Sequence, residues 1–129
     1  MKIYTGNFAN VQKYRKANIE PINIALSARY FSGEKYKPLN PEWEFKDFEE
    51  KEYTPLFNEK LNKLDAKNVY KDLLSLSSGK DIVLCCHEKE GDFCHRHLVA
   101  KWLSENLNIE VVELGKMQKQ PEIIQDSLF

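Results

Sequence analysis

The sequence predicts an α/β fold: a small three-layer sandwich built on a mostly parallel, Rossmann-like sheet of about four strands. Residues 81–114 carry the pattern strand, helix, strand, and residues 2–26 carry the same order. Such βαβ units cross over with one hand, which places their strands in parallel and their helices against the faces of the sheet. No domain boundary is evident, so residues 1–129 are predicted to form a single domain.

The N-terminal unit starts with KIYT, which predicts a short strand that ends at Gly6. Asn7 is a predicted cap for a helix over residues 8–17, where apolar side chains recur at helical spacing. The apolar run INIAL at residues 22–26 predicts the next strand. Residues 27–41 have no sustained period, and a loop of that length in a compact domain is usually functional or mobile.

The second half holds the strongest local patterns. DIVLCC is an unbroken apolar run after a glycine break, which predicts a buried strand, and HLVAKWLSENL has the apolar stripe of a helix. The pattern assigns no helix or strand to the C-terminal tail, residues 115–129. The predicted elements are a solvated helix or turn at 42–52, a helix at 53–64 that starts near Pro55, a helix at 66–76 that Gly79 stops, a strand at 81–86, a helix at 97–107 and a strand at 109–114.

Composition and charge limit the functional classes. The 19 basic and 20 acidic side chains leave a net charge of −1, whereas a general nucleic-acid coat needs an excess of Lys and Arg. No apolar run approaches a membrane span, and the N-terminus lacks the apolar core of a signal peptide. An odd number of cysteines, two of them adjacent, is unlike a secreted disulfide framework. We therefore expect a cytoplasmic protein with reduced thiols and no membrane partner.

All three cysteines and all three histidines lie within residues 85–97. In parallel sheets, ligands bind at the carboxyl ends of the strands, where the strand order reverses. That rule brings the loops at residues 5–10, 27–41 and 87–94 to one edge of the predicted sheet. The cysteine-rich and histidine-rich segment is therefore predicted to be a loop at a binding edge.

The start of the helix after this loop carries the strongest candidate residues. Asp92 is a good N-cap, which would put Cys94 in the first turn, where free N–H groups and the helix dipole stabilise a thiolate. Arg96 could hold a phosphate or carboxylate beside those N–H groups. His95 projects toward the sheet. For Cys94 and His95, the alternative is a buried packing role.

The sequence does not decide the roles of the residues just before that helix. Cys85 and Cys86 point in opposite directions along the strand, and at least one is expected to be a buried core residue. Glu88 could accept a proton, hold a ribose hydroxyl or pair with Arg96, or it could be a surface acid. No metal is predicted, because the donor spacing differs from that of zinc knuckles. A phosphatase loop does not fit either, because one residue separates Cys94 from Arg96.

The run LCCHEKEGDFCHRHLVAKWL at residues 84–103 resembles the signature of a bacterial and phage family, the domain of unknown function 488. The likeness extends through YTGNFA, SARYF, YKPLNPEW and EYTPLFNEKL and covers most of the chain up to about Leu114. At the end of the second strand many members carry Asp-x-Arg; here Ser27 replaces the acid and Arg29 is kept. The resemblance implies an α/β fold and a Cys-His-Arg motif, but no reaction. The motif residues that match are Cys86, Glu88, Cys94, His95 and Arg96.

These observations predict one polar site that binds an anion: a nucleotide, a phosphorylated metabolite or a nucleic-acid end. In an enzyme, Cys94 would be the nucleophile or redox thiol, Glu88 or His95 the acid or base, and Arg29 with Arg96 the anion clamp. The predicted site residues are Gly6, Asn7, Arg29, Cys86, Glu88, Cys94, His95 and Arg96.

Three alternatives stay open at this point. The same site could bind nucleotides or nucleic acid without chemistry. The chain could be a zinc-stabilised interaction domain. In a purely structural role, Cys94 and His95 would lock the helix against the strand while Glu88 pairs with Arg96. The cofactor and the oligomeric state also stay open at this point.

Overall fold

The computed structural model describes residues 1–87 and 93–114, apart from the side chain of residue 46. Short 3-10 helices at Phe8–Asn10, Lys37–Leu39 and Trp43–Asp47 connect some of its elements. The strands and α-helices of this part of the chain are, in order, β1 (Ile3–Asn7), α1 (Val11–Lys16), β2 (Glu20–Asn23), β3 (Glu34–Lys35), α2 (Glu50–Asn62), α3 (Ala66–Ser77), β4 (Ile82–Cys86), α4 (His95–Leu107) and β5 (Val112–Glu113).

The strands form one five-stranded sheet in the order β3-β2-β4-β1-β5, and every neighbouring pair is parallel. This confirms the predicted small α/β fold, with one strand more than expected. The chain leaves β1 toward one edge of the sheet and leaves β4 toward the other. Right-handed connections that run in opposite directions lie on opposite faces of the sheet, α1 on one and α4 on the other, and a crevice at the carboxyl ends of β1 and β4 follows from this separation.

Helices cover both faces of the sheet. Tyr14 of α1 packs against Val83 and Cys85 on one face. The alternate β4 residues Ile82 and Leu84 belong to the larger core cluster on the opposite face, with side chains from α2, α3 and α4. Successive side chains of a strand point to opposite faces, so β4 is buried on both sides. This burial on both faces explains why the sequence of β4 is an unbroken apolar run.

Strand β2 is shifted toward the N-terminus relative to the prediction and includes Pro21. The backbone N–H groups of Glu20 and Ile24 donate to backbone oxygens of Asp81 and Cys85, on the β4 side. Strand alternation turns the nitrogen of Pro21 to the other side, where pairing with β3 starts only at Ile22. The missing donor of Pro21 therefore removes no hydrogen bond from the sheet.

The predicted helix boundaries hold in the second half better than in the first. Helix α3 ends as predicted, because Gly79 takes a φ of 84° and its N–H donates to the oxygen of Leu74. The prediction that Pro55 starts a helix is wrong: α2 begins at Glu50, with Glu49 and Glu52 forming a capping box. No helix within residues 1–87 and 93–114 has the length and apolar character that crossing a bilayer requires.

Gly6 has a packing role in the first strand. The side chain of Tyr14 is fully buried against it, and the Tyr14 hydroxyl accepts a hydrogen bond from the N–H of Asn7 at 3.3 Å. A Cβ atom at residue 6 would lie 2.8 Å from Cζ of Tyr14 and 3.0 Å from Cγ2 of Val83. The absence of a side chain at Gly6 therefore lets α1 approach the sheet.

Replacing Gly6 with alanine is expected to lower the free energy of unfolding by about 1–3 kcal/mol, because the added methyl overpacks the contact with Tyr14. Urea denaturation followed by circular dichroism measures the effect. In a Tyr14→Ala background the same substitution should cost less, since the ring is gone and only the contact with Cγ2 of Val83 remains. Equal costs in both backgrounds would show that contact with Tyr14 is not the cause.

Candidate functional site

The carboxyl ends of three neighbouring strands form the edge at which the candidate residues gather. Asn7 of β1 lies in register with Cys86 of β4, and Asn23 of β2 lies in register with Cys85. Both asparagines are buried, and their side chains bond within their own loops: Asn7 accepts from Asn10, and Asn23 accepts from the N–H of Ala25. These residues thus share one edge of the sheet, as predicted, and ligand binding at this edge stays a prediction.

A disulfide joins Cys86 at the end of β4 to Cys94 just before α4. This contradicts the expectation of reduced thiols, and neither sulfur is a free nucleophile in this structure. The two residues are eight apart in sequence, and the edge of the sheet brings them together with Cα atoms 7.4 Å apart. The link ties the strand to the helix, as the structural alternative expected of Cys94.

Helix α4 starts one residue after Cys94. Cys94 is therefore the N-cap residue, in extended conformation and without a side-chain capping bond, and α4 begins at His95. The prediction that Cys94 lies in the first turn behind an Asp92 cap is wrong. Asp92 and Glu88 lie outside the described residues.

His95 is held in one orientation by two neighbours. Its Nε2 lies 2.7 Å from the backbone oxygen of Ile24, so this nitrogen carries the proton and donates. Its Nδ1 then presents a lone pair toward Sγ of Cys94, 3.7 Å away. Burial lowers the pKa of His95 to about 4, against the opposing effect of the Ile24 hydrogen bond. The imidazole is therefore neutral at physiological pH.

Arg96 is fully buried and paired with a residue that the sequence did not indicate. Its Nε and Nη2 donate to the two carboxylate oxygens of Glu113 in β5, at 3.1 and 3.0 Å. Glu113 also accepts from the hydroxyl of Thr5, and Nη1 of Arg96 donates to Sγ of Cys86 at 3.2 Å. The guanidinium thus links α4 directly to β4 and β5, and Glu113 extends the network to Thr5 of β1.

This pairing corrects the predicted anion clamp. Arg96 is neutralised by Glu113 inside the protein, whereas Arg29 is exposed, with its guanidinium over the ring of Tyr30. The two arginines therefore do not form one clamp. Glu113 is one of two acids, with Glu110, in a predicted strand that is otherwise apolar, but nothing local distinguishes it or connects it with Arg96.

Two clefts flank the strand edge. The first, called the thiol cleft below, has a volume of about 280 Å³ and places the sulfurs and the imidazole at its wall. The second, called the basic cleft, has a volume of about 590 Å³, and no carboxylate is among its described lining residues. The thiol cleft is lined in part by Ser27, Tyr53, Cys86, His87, Cys94 and His95. The basic cleft is lined in part by Phe8, Arg15, Ser27, Arg29, Phe31 and His87.

The wall between the clefts is formed by residues common to both. A ring nitrogen of His87 is hydrogen-bonded to the backbone oxygen of Ser27, and the ring packs against Phe8 with centroids 4.9 Å apart. In the basic cleft, the guanidinium of Arg15 lies over Phe31 and donates to the oxygen of Ser32. Arg29 is thus the predicted arginine that reaches a cleft, and Arg15 is one that the sequence did not single out.

Cys85 has the core role predicted for one of the adjacent cysteines. It is fully buried beside Tyr14 and Val83, on the sheet face opposite the disulfide. Burial raises the pKa of Cys85 to about 12, an effect that the charge of Arg96 opposes. Among the described residues, Cys85 is the free cysteine.

Counting thiols tests this assignment. Protein purified in air is expected to incorporate no iodoacetamide while folded, because Cys86 and Cys94 are bonded together and Cys85 is buried. One label should appear after denaturation, and three after denaturation with reduction, by intact mass. Labelling of Cys86 or Cys94 in the untreated native protein would contradict the disulfide.

Three of the side chains could together hold a metal ion. Sγ of Cys86, Sγ of Cys94 and one ring nitrogen of His95 all lie within 4.8 Å of one another, and all three residues are buried. The sequence analysis missed this set because it compared only the spacing of the donors along the chain with that of zinc knuckles. The fold brings the end of a strand beside the start of a helix instead.

Comparison with known proteins identifies the family. The family model described as "DUF488-N3a: Active DUF488-N3 subclade" matches residues 13–107, which include the whole Cys-His-Arg segment. The resemblance inferred from the sequence motifs is thereby confirmed. No curated protein and no solved structure matches the chain.

Proposed function

We propose that this chain, which belongs to the DUF488-N3a family, is an enzyme that acts on a nucleotide or another phosphate-bearing ligand through the thiol of Cys94. The observation that carries the proposal is the contact of Sγ of Cys94 with Nδ1 of His95 at 3.7 Å. A nucleophile, a neutral base and a group that orients the base are the parts of an activated thiol site. Here the backbone oxygen of Ile24 is the orienting group.

The reaction requires the reduced protein. A dithiol reductant converts the Cys86–Cys94 disulfide into two thiols and becomes a disulfide itself. The sulfur of Cys94 forms a bond to an electrophilic carbon of the ligand while the thiol proton moves to Nδ1 of His95. The bond from that atom to its leaving group breaks, and the leaving group takes the proton. Water then hydrolyses the sulfur-linked intermediate and restores the thiol.

The basic cleft supports a phosphate-bearing ligand. Arg15 and Arg29 supply positive charge, and Phe8 and Phe31 supply aromatic surface for a base or sugar. This cleft adjoins the thiol cleft at Ser27 and His87. A ligand anchored by its phosphate near Arg29 would therefore extend toward Cys94.

Thermal melting of the reduced protein with nucleoside phosphates, sugar phosphates and short single-stranded DNA identifies the ligand class, because a ligand of the native state raises the melting temperature. Each ligand that does so is then assayed for conversion by chromatography. Cys94→Ser should keep the melting shift and lose turnover by at least ~1000-fold. Arg29→Ala should weaken binding, and Lys51→Ala, at an exposed position in α2, is the matched control.

Full turnover by reduced Cys94→Ser would refute the role of the thiol. A melting shift that Arg29→Ala leaves unchanged would refute the role of the basic cleft. The two variants thus test the chemistry and the binding separately.

A second candidate, a nucleotide-binding module without chemistry, is favoured by the disulfide itself, because it occupies both sulfurs. This alternative predicts ligand binding by the oxidised protein and conversion of none of the ligands. It also predicts that Cys94→Ala binds as the wild type does. Conversion that depends on reduction would exclude it.

A further inference from the structure

We infer that reduction of the Cys86–Cys94 disulfide creates a binding site for one zinc ion, with Cys86, Cys94 and His95 as its protein ligands. This inference goes beyond the proposed enzyme, since a metal bound at these sulfurs would occupy the Cys94 thiolate rather than use it as a nucleophile. It rests on the donor set, the orientation of His95 and the surroundings of Cys86.

The donors are of the type and proximity that zinc requires. Two cysteine sulfurs and one imidazole nitrogen lie within 4.8 Å of one another, and the exposed fractions of Cys86, Cys94 and His95 are 1%, 2% and 5%. Zinc binds thiolate sulfur at ~2.3 Å and imidazole nitrogen at ~2.0 Å, in tetrahedral geometry. Soft sulfur ligands with one imidazole favour zinc over magnesium or calcium.

The orientation of His95 is that of a metal ligand. Its Nε2–H donates to the backbone oxygen of Ile24 at 2.7 Å, which leaves Nδ1 directed at the sulfurs. Metal-ligating histidines almost always donate their other ring N–H to a carbonyl or carboxylate in this way. Phe57 packs edge-on against the ring, with centroids 5.3 Å apart, and restricts its rotation.

The charges around the sulfurs also suit a metal thiolate. Nη1 of Arg96 donates to Sγ of Cys86 at 3.2 Å, and the charge of Arg96 is itself balanced by Glu113. The two thiols release two protons when one Zn²⁺ binds, so the dication and two thiolates form a neutral unit. Reduction by a dithiol must come first, since the disulfide offers no thiolate.

The backbone leaves room for the change. Two Zn–S bonds at a tetrahedral angle separate the sulfurs by about 3.8 Å. The Cα atoms of Cys86 and Cys94 are 7.4 Å apart, so side-chain rotation suffices to separate the sulfurs. The three ligands line the thiol cleft, whose volume of about 280 Å³ accommodates a water molecule or ligand atom as the fourth donor.

Cobalt is the spectroscopic probe, because Co²⁺ takes the same tetrahedral thiolate geometry as zinc and absorbs visible light. Protein reduced under nitrogen is titrated with CoCl₂, and the thiolate-to-cobalt charge-transfer band and the tetrahedral d–d bands are recorded. We expect saturation at one equivalent and complete displacement by one equivalent of ZnCl₂. The oxidised protein has the same sequence and fold and should produce neither band.

Variants assign the ligands. Cys86→Ser, Cys94→Ser and His95→Gln should each weaken cobalt binding by more than the roughly 10–100-fold typical of losing an outer partner. Cys85→Ala and His97→Gln are matched controls, one residue before Cys86 and two after His95, and should bind as the wild type does.

Absence of these bands from the reduced wild-type protein would overturn the inference, as would equal binding by reduced and oxidised protein. Binding that Cys94→Ser leaves undiminished would also overturn it. If a variant fails to fold, the comparison of reduced and oxidised wild type decides. The result is independent of the proposed enzyme, which is tested by turnover of metal-free reduced protein.

Discussion

Glu113→Gln is expected to lower the free energy of unfolding by about 3 kcal/mol, the lower end of the range for breaking a buried ion pair. The substitution removes the carboxylate that neutralises Arg96, whose side chain is fully buried, while Glu113 itself is 23% exposed. The partial exposure of Glu113 is the reason for choosing the lower end. For a chain of this length the melting temperature should fall by roughly 10 °C.

Two further variants separate charge from packing at this pair. Glu20→Gln disrupts a pair with Lys80, whose side chain is 48% exposed and whose N···O distance to Glu20 is 3.9 Å, and should cost less than about 0.5 kcal/mol. The double variant Arg96→Met with Glu113→Leu removes both charges and should be more stable than Glu113→Gln alone. Guanidinium chloride denaturation measures all three. If Glu113→Gln unfolds at the wild-type midpoint, neutralisation of Arg96 is not what the carboxylate contributes.

Phe57→Ala is expected to cost about 3–5 kcal/mol, because it opens a cavity in the core beneath the site. Phe57 is fully buried and packs against Tyr53 and His95, with centroids 5.8 and 5.3 Å away. The loss should also release the His95 ring, so cobalt binding by the reduced variant should weaken. Phe57→Leu preserves more volume and should cost less.

The control for Phe57 is its neighbour in sequence. Leu56 has 39% of its surface exposed, and Leu56→Ala should cost less than about 1 kcal/mol. Denaturation curves for both alanine variants test the comparison directly. Equal destabilisation by the two substitutions would mean that Phe57 does not anchor α2 to the core.

The sequence predicted the central elements because their signals are local. The apolar run of β4 and the stripe of α4 reflect burial that the periodicity records directly. Strand β3 was not predicted, because its two residues, Glu34 and Lys35, are both exposed and have no apolar partner in the pattern. An edge strand of that length depends on pairing with β2, which no local signal encodes.

The site shows the same division between local and long-range information. Parallel topology was enough to bring Asn7 and Cys86 to one edge, because that rule holds for any such sheet. The pairing of Arg96 with Glu113 joins residues 17 apart on different elements, and the disulfide joins the end of a strand to the start of a helix. Contacts of this kind arise from packing between distant elements, which local patterns in the sequence do not reveal.

Among the described residues, the barrier between the two clefts consists of the His87 side chain and the backbone of Ser27. His87 is exposed, and rotation of its ring breaks its hydrogen bond to Ser27, which costs on the order of 1 kcal/mol, and separates it from Phe8. A ligand long enough to reach both clefts would therefore pass beside His87 at the carboxyl end of β4. The length of the ligand, more than its affinity for either cleft, would decide whether it contacts the sulfurs of Cys86 and Cys94.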